Sequence, residues 1–261
     1  MITDLHGAIN ESNASTSAGH DCRFGREGHT RTSTDAQAAL RGSRLTEPEP
    51  GTCQAARVDA ELWDERYRDT AALWGGPNVI LEPLLTKLSP GRAVDLACGD
   101  GRHAAWLAGR GWQAHGVDFS AEAIAQAVRR DTGAPVDGGR TRPRHATYEV
   151  ADVRSWQPAE PVDLVLIAYL HLPADERAAL TRRALTWLAP RGRLVMLAHA
   201  LENLTYGVGG PQDATILPRI EELAAELSGA RVHRLEHVGR WVDGREAIDV
   251  LVDVSPWLRE D

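Results

Sequence analysis

Asp95, Asp118 and Asp152 carry the first chemical signal in this chain: three acids placed at the ends of short apolar runs, the first of them beside a glycine-rich turn. Asp95 stands in AVDLACGDG, residues 93–101, where a carboxylate at a strand's end can accept a hydrogen bond from a cationic amino group. Asp118 closes WQAHGVD, and a carboxylate there can take both hydroxyls of a ribose. Asp152, in EVADV, suits an adenine amino group. Gly99 and Gly101 lack a Cβ, so the turn after Asp95 permits positive φ and lets a bound molecule approach the main chain closely.

These acids need a parallel sheet to bring them together. Residues 93–96 have the length and composition of a buried strand, and RHAAWLAG at 102–109 reads as the helix that follows. Further strands are expected at 112–118, about 148–150, 163–168 and 193–198, the last after a turn at 190–192. Helices are expected at 174–188, with Leu180, Ala184, Trp187 and Leu188 inward, and at 217–227, with Ile220, Leu223, Ala224 and Leu227 on one face. Runs at 232–242 and 248–254, separated by DGRE, read as a terminal hairpin. Ahead of the first strand, helical spacing begins near Val58, and Leu81, Leu84, Leu85 and Leu88 form a second apolar stripe that Pro90-Gly91 ends.

Acids at the carboxyl ends of successive parallel strands line the crevice where open α/β sheets bind ligands. In this the chain resembles the class I S-adenosylmethionine-dependent methyltransferases over roughly residues 58–254: DLACGDG matches their first motif, Asp118 their ribose-binding acid and Asp152 their adenine-side acid. Where many members have Gly, this chain has Ala97, followed by Cys98. The resemblance implies an α/β, three-layer Rossmann-like fold: a seven-stranded, mostly parallel sheet with an antiparallel terminal strand and helices on both faces. It implies S-adenosylmethionine as cofactor, bound by Asp95, Ala97, Cys98, Gly99, Gly101, Asp118, Phe119, Asp152, Val153 and Ala168. WDERY (63–67), LWGGPN (73–78) and the motif that follows are similar to the tellurite-resistance and thiopurine-type enzymes acting on small molecules, which makes Trp63, Tyr67 and Trp74 candidate lid residues.

A sulfonium methyl is already activated, so the protein's main task is to hold a nucleophile in line with it. A general base matters only for acceptors such as phenols or alcohols. The resemblance places the end of the fourth strand beside the methyl group, which makes His171 the candidate base or orienting residue and Tyr169 a wall of the pocket. Each has a plain structural reading as well, His171 as a helix-flanking residue and Tyr169 as a core aromatic. Gly207, Gly209 and Gly210 suggest a loop that closes over the substrate, and His199 faces the same crevice without an assigned role.

Two other readings stay open. Gly99-x-Gly101-x-x-Ala104 also fits a dinucleotide fingerprint, but Asp95 and Asp100 would lie where a pyrophosphate sits. A catalytically silent binder of the cofactor or its demethylated product is compatible with every residue named.

Composition narrows the setting. A net charge of −8 disfavours nucleic acid as a partner. Three cysteines, Cys22, Cys53 and Cys98, lack paired spacing, and the histidines and cysteines show no metal-ligand spacing, so no metal and no disulfide are expected. No apolar run reaches membrane-spanning length and the start MITDLHGAINESN is not a secretory signal, which together read as a cytoplasmic protein with no membrane partner. Residues 1–55 are polar and aperiodic and are expected to be a disordered tail, with a methyltransferase domain at 56–254, its cofactor-binding core at about 91–198, and a short tail at 255–261.

Overall fold

The computed structural model describes residues 60–69, 76–133 and 145–257. The expected tail at 1–55 and the candidate lid residue Trp74 lie outside the described residues. Helix α1 (Ala60–Asp69) and the short α2 (Glu82–Leu85) precede strand β1 (Arg92–Leu96) and α3 (Arg102–Gly109). Then come β2 (Gln113–Asp118), α4 (Ala121–Gly133), β3 (Thr147–Val150), β4 (Val162–Ala168) and α5 (Ala174–Thr186). The chain continues through β5 (Leu188–His199), α6 (Asn203–Tyr206), a 3-10 turn at Ala214–Ile216, α7 (Ile220–Glu226), β6 (Ala230–Val242) and β7 (Arg245–Pro256).

The seven strands form one sheet in the order β3-β2-β1-β4-β5-β7-β6. β7 pairs antiparallel with both β5 and β6, while the remaining pairs are parallel. This is the sheet expected from sequence, including the antiparallel closing strand. The strand order reverses between β1 and β4, and a crevice opens there at the carboxyl ends of the strands.

Alternation along the central strands builds a core on each face. Val165 and Ile167 of β4 join Val94, Leu96, Leu194 and Met196, covered by Leu180 and Ala184 of α5 and Leu223 of α7. Leu164 and Leu166 point the other way and pack with Ala93, Val195 and Leu197 under Ala104, Leu107 and Ala108 of α3 and Leu85 of α2. Both faces of β1, β4 and β5 are thus shut from water, which is why these strands read as unbroken apolar runs.

Several boundaries differ from the sequence reading: α5 ends at Thr186, so Leu188, expected on its inner stripe, opens β5 instead, and α7 is shorter than 217–227. The turn expected at 190–192 is an irregularity inside a longer β5: Val162 pairs with Leu188 and Leu164 with Arg193, so residues 189–192 stand opposite Asp163 alone. Gly192 makes this possible, since a Cβ there would lie 2.8 Å from the Val162 carbonyl oxygen. β7 runs to Pro256, two residues past the expected end of the domain at 254. Its hairpin turn is only Asp243-Gly244, both at positive φ (49° and 79°), because Val242 already pairs with Arg245. Among the described residues no helix is long and apolar enough to cross a membrane.

Candidate active site

The turn after β1 is built from three left-handed residues, Ala97 (φ 54°), Gly99 (φ 55°) and Gly101 (φ 77°). It is tied to the next strand by Cys98 N–H, which donates to the Val117 carbonyl at 3.0 Å. Asp118 completes the tie, its Oδ2 accepting from Gly99 N–H and its Oδ1 from Ser120 N–H, both at 2.9 Å. Burial pushes the Asp118 carboxyl up, and these backbone donors offset part of that. A Cβ on Gly99 would lie 2.4 Å from the Tyr67 hydroxyl, whereas one on Gly101 would meet Ala127 and Tyr148 at 2.7 Å. Gly99 therefore fronts an exchangeable side chain, while Gly101 is needed for packing of the helix layer.

Asp95 is the unusual group. It is buried, and its Oδ2 has no hydrogen-bond partner. Burial pushes its carboxyl up to about 7; the Ala104 N–H and Arg102 pull the other way, while Asp118 and Asp100 add to the rise. Asp100 itself forms an ion pair with Arg130 of α4. Asp152 differs from the other two acids: it is half-exposed and its carboxylate holds the Arg154 guanidinium at 2.7 Å, a bond that lowers its pKa. Arg154 reaches on to Glu176 of α5 at 3.3 Å. Val153 sits in the apolar core, and Cys98 is a buried thiol whose pKa burial drives up, so it is a packing residue and not a nucleophile. Phe119 and Ala168 are part-buried beside the turn and at the end of β4.

Helix α1 is clamped over this turn. Ser120 Oγ donates to Asp64 at 2.5 Å, Glu122 N–H donates to the same oxygen at 3.1 Å, and the Gln126 amide donates to the Tyr67 carbonyl. Tyr67 is thereby held against Gly99, and its phenol is driven up by burial and by Asp118 and Asp100. Trp63 lies beside it with ring centroids 6.0 Å apart and carries Arg66 on its face at 5.0 Å.

A second cluster forms where β4 and β5 end. Tyr169 has a positive φ of 59°, a strained setting for a non-glycine residue. Its hydroxyl donates to Asp249 Oδ2 at 2.8 Å and accepts from the Asn78 amide at 3.1 Å. Asp249 is 0% exposed; its Oδ1 lies 2.9 Å from His199 Nδ1, and Arg240 Nε donates to Oδ2 at 3.1 Å. Burial pushes the Asp249 carboxyl up, but His199, Arg240 and Tyr169 outweigh it and hold it below its ordinary value. His171 stacks on His199 with centroids 5.3 Å apart and planes 9° apart. Burial and His199 push His171 down to about 3, and its buried Nε2 has no partner. A neutral ring of that kind suits orienting more than accepting a proton. The glycine loop also reaches this cluster, since a Cβ on Gly210 would lie 2.9 Å from the His199 ring.

Sequence reasoning missed Asp64, Asn78, Arg102, Arg240 and Asp249. Arg102, at the start of α3, acts electrostatically on Asp95, Tyr67 and Tyr169 alike, so it stands between the two clusters. Among the described residues no group of three or more His, Cys, Asp or Glu side chains could hold a metal ion.

Comparison with known proteins bears on the fold and the domain. Residues 93–192 match the family model described as a methyltransferase domain. A trans-aconitate 2-methyltransferase of Pseudomonas paraeruginosa is 33% identical over 135 residues, 51% of this chain and 45% of that protein. The chain thus spans about half the length of the curated relatives it matches. TehB from Haemophilus influenzae superposes with a TM-score of 0.57 at 13% identity, covering 76% of this chain and 66% of that one. The glycopeptide N-methyltransferase MtfA, solved with S-adenosylhomocysteine, gives 0.55 at 19% identity, covering 72% and 90%. At such identities the two structures share the fold with this chain. Residues 93–192 thus match the methyltransferase-domain model, within a chain that shares the fold of these solved methyltransferases.

Proposed function

We propose that this protein transfers a methyl group from S-adenosylmethionine to a small-molecule acceptor. The observation that carries the reading is the buried, partnerless Oδ2 of Asp95 beside a turn with three left-handed residues. A buried carboxylate oxygen without a donor is costly, and a ligand ammonium supplies what is missing. Arg102, which makes no hydrogen bond or ion pair among the described residues, is placed to take the carboxylate at the same end of the ligand. Each Asp118 oxygen has one backbone donor and keeps a lone pair for a ribose hydroxyl. Ala97, Cys98, Gly99 and Gly101 supply the turn's main chain, Phe119 the segment after Asp118, Asp152 and Val153 the adenine side, and Ala168 the floor at the end of β4. Trp63 and Tyr67 of α1 form the lid, and Tyr169 and His171 the acceptor wall. When bound, the cofactor supplies an electrophilic methyl on a positively charged sulfur.

The acid field around the turn supports this ligand over a nicotinamide dinucleotide, whose pyrophosphate would meet Asp95 and Asp118. The net charge of −8 supports an acceptor other than nucleic acid, and an odd cysteine count without paired spacing supports a cytosolic setting. The test is transfer from a methyl-labelled donor to a panel of hydroxyl compounds, thiols, tellurite, amines and carboxylates. Label in a small acceptor is the expected result. Tight S-adenosylhomocysteine binding with no transfer to any of them would instead make the protein a silent binder. Asp95→Asn is expected to weaken S-adenosylhomocysteine binding about 10- to 100-fold, the loss of one charged hydrogen bond. Arg102→Ala should weaken that ligand by a similar factor and leave 5′-methylthioadenosine, which has no amino-acid portion, within about twofold.

A further inference from the structure

We propose that His199, held by Asp249, takes the proton of an oxygen nucleophile, and that the acceptor is therefore a small molecule with a phenolic or enolic hydroxyl. This rests on the methyltransferase reading above. His199 ends β5 and Asp249 is its cross-strand partner on β7, so two regular strands, not a loop, set the 2.9 Å contact between Nδ1 and Oδ1. The buried carboxylate lies against the ring and stabilises by its charge the imidazolium that forms as a proton arrives. Nδ1 lies 2.9 Å from Asp249 Oδ1 in an ion-pair contact that is not a hydrogen bond, and among the described residues no hydrogen bond engages Nε2. With Nδ1 against the carboxylate, Nε2 is the nitrogen we assign to receive the proton.

The charges around the pair select the acceptor. Asp249 faces His199 from β7, Arg240 adjoins from β6, and from the segment after β4 Tyr169 tilts against it and His171 stacks on it; Asn78 and the field of Arg102 reach it through Tyr169. Arg240 is committed to Asp249 and to the Tyr169 ring, over which it sits at 5.7 Å. The buried charges of Arg240 and Asp249 offset each other, His171 is neutral and Arg102 is engaged by the cofactor's carboxylate, so the cluster offers no net positive charge to an oxyanion or carboxylate. A thiolate or tellurite arrives already deprotonated and gains nothing from a proton acceptor. A hydroxyl gains most.

In the step, the acceptor O–H bond breaks as its proton passes to His199 Nε2, and the oxygen's electron pair forms the new O–CH3 bond. The donor's S–CH3 bond breaks with its pair left on sulfur, and the imidazolium afterwards returns its proton to solvent. The step balances without oxidant or metal.

Initial rates with labelled donor across the acceptor panel, with S-adenosylhomocysteine affinity measured in parallel, test this. The wild-type protein should methylate phenols or enols in preference to thiols, tellurite, amines and carboxylates. His199→Ala should lower that rate about 10²- to 10⁴-fold while keeping S-adenosylhomocysteine affinity within about threefold. Added imidazole should restore at least about tenfold, and the penalty should shrink across phenols of falling pKa, which a merely structural role would not produce. Transfer confined to thiols, tellurite, amines or carboxylates in the wild-type protein overturns the proposal without any variant, as does a His199→Ala rate equal to wild type. Loss of S-adenosylhomocysteine binding by the wild-type protein instead overturns the methyltransferase reading itself.

Discussion

An aspartate that holds its proton to about pH 7 changes what the folded state costs. Asp95 is ionised above about pH 4 in the unfolded chain but stays protonated in the folded one up to about 7, so the folded state binds more protons in that window. Its contribution to stability is full below about pH 4, falls as pH rises to about 7, and is lost above; the swing is on the order of 4 kcal/mol. Urea denaturation of Asp95→Asn should show that swing gone, with the variant more stable than wild type at pH 8. Equal pH dependence in both would refute the assignment. Ala97 offers a second residue-level check. A left-handed alanine costs about 1–2 kcal/mol, partly offset by the entropy a glycine loses on folding. Ala97→Gly should raise stability by about 0.5–1 kcal/mol, or the melting temperature by about 1–3 °C, and a lowered melting temperature would contradict the conformation described.

Elements differ in how far sequence alone reveals them. The parallel strands are legible because burial on both faces leaves unbroken apolar runs, as in residues 164–167 of β4. α4 goes unassigned in the sequence reading, although Ser120 caps it by accepting from Ala123 N–H at 3.1 Å and Ala123, Ile124 and Ala127 give it a buried stripe. Asp249 and Arg240 lie inside strands, where one acid or base reads as an ordinary exposed position; only the pairing of β7 with β5 and β6 reveals that they meet. His199 is visible at the end of β5, yet its partner is 50 residues away in sequence, beyond any local spacing. The clamp on α1 is equally non-local, joining Asp64 to Ser120. Asp64→Ala removes that clamp, so backbone amides of 60–69 should exchange faster and S-adenosylhomocysteine affinity should fall about tenfold, an expectation from the loss of about 1.4 kcal/mol of ordering. Unchanged exchange across α1 would show that the helix is held by other contacts.

For the molecule as a whole, the two clusters sit on either side of the point where the strand order reverses, and Arg102 feels both. Their titrations oppose each other. His171 is held neutral down to about pH 3, so its contribution to stability is lost as pH falls from its ordinary 6.5 toward 3, while that of Asp95 grows over much of the same range. Wild-type stability should therefore be nearly flat between about pH 4 and 6.5, and Asp95→Asn should turn that plateau into a fall on acidification. The most direct test of a cation-binding turn is titration calorimetry with S-adenosylhomocysteine at pH 6.5 in two buffers of different ionisation heat. Pairing with the ligand ammonium should strip the proton from Asp95, so saturable binding should release about three quarters of a proton per molecule, and a nicotinamide dinucleotide should give no heat. Heat with the dinucleotide and none with S-adenosylhomocysteine, or binding that releases no proton and survives Asp95→Asn unweakened, would contradict the account.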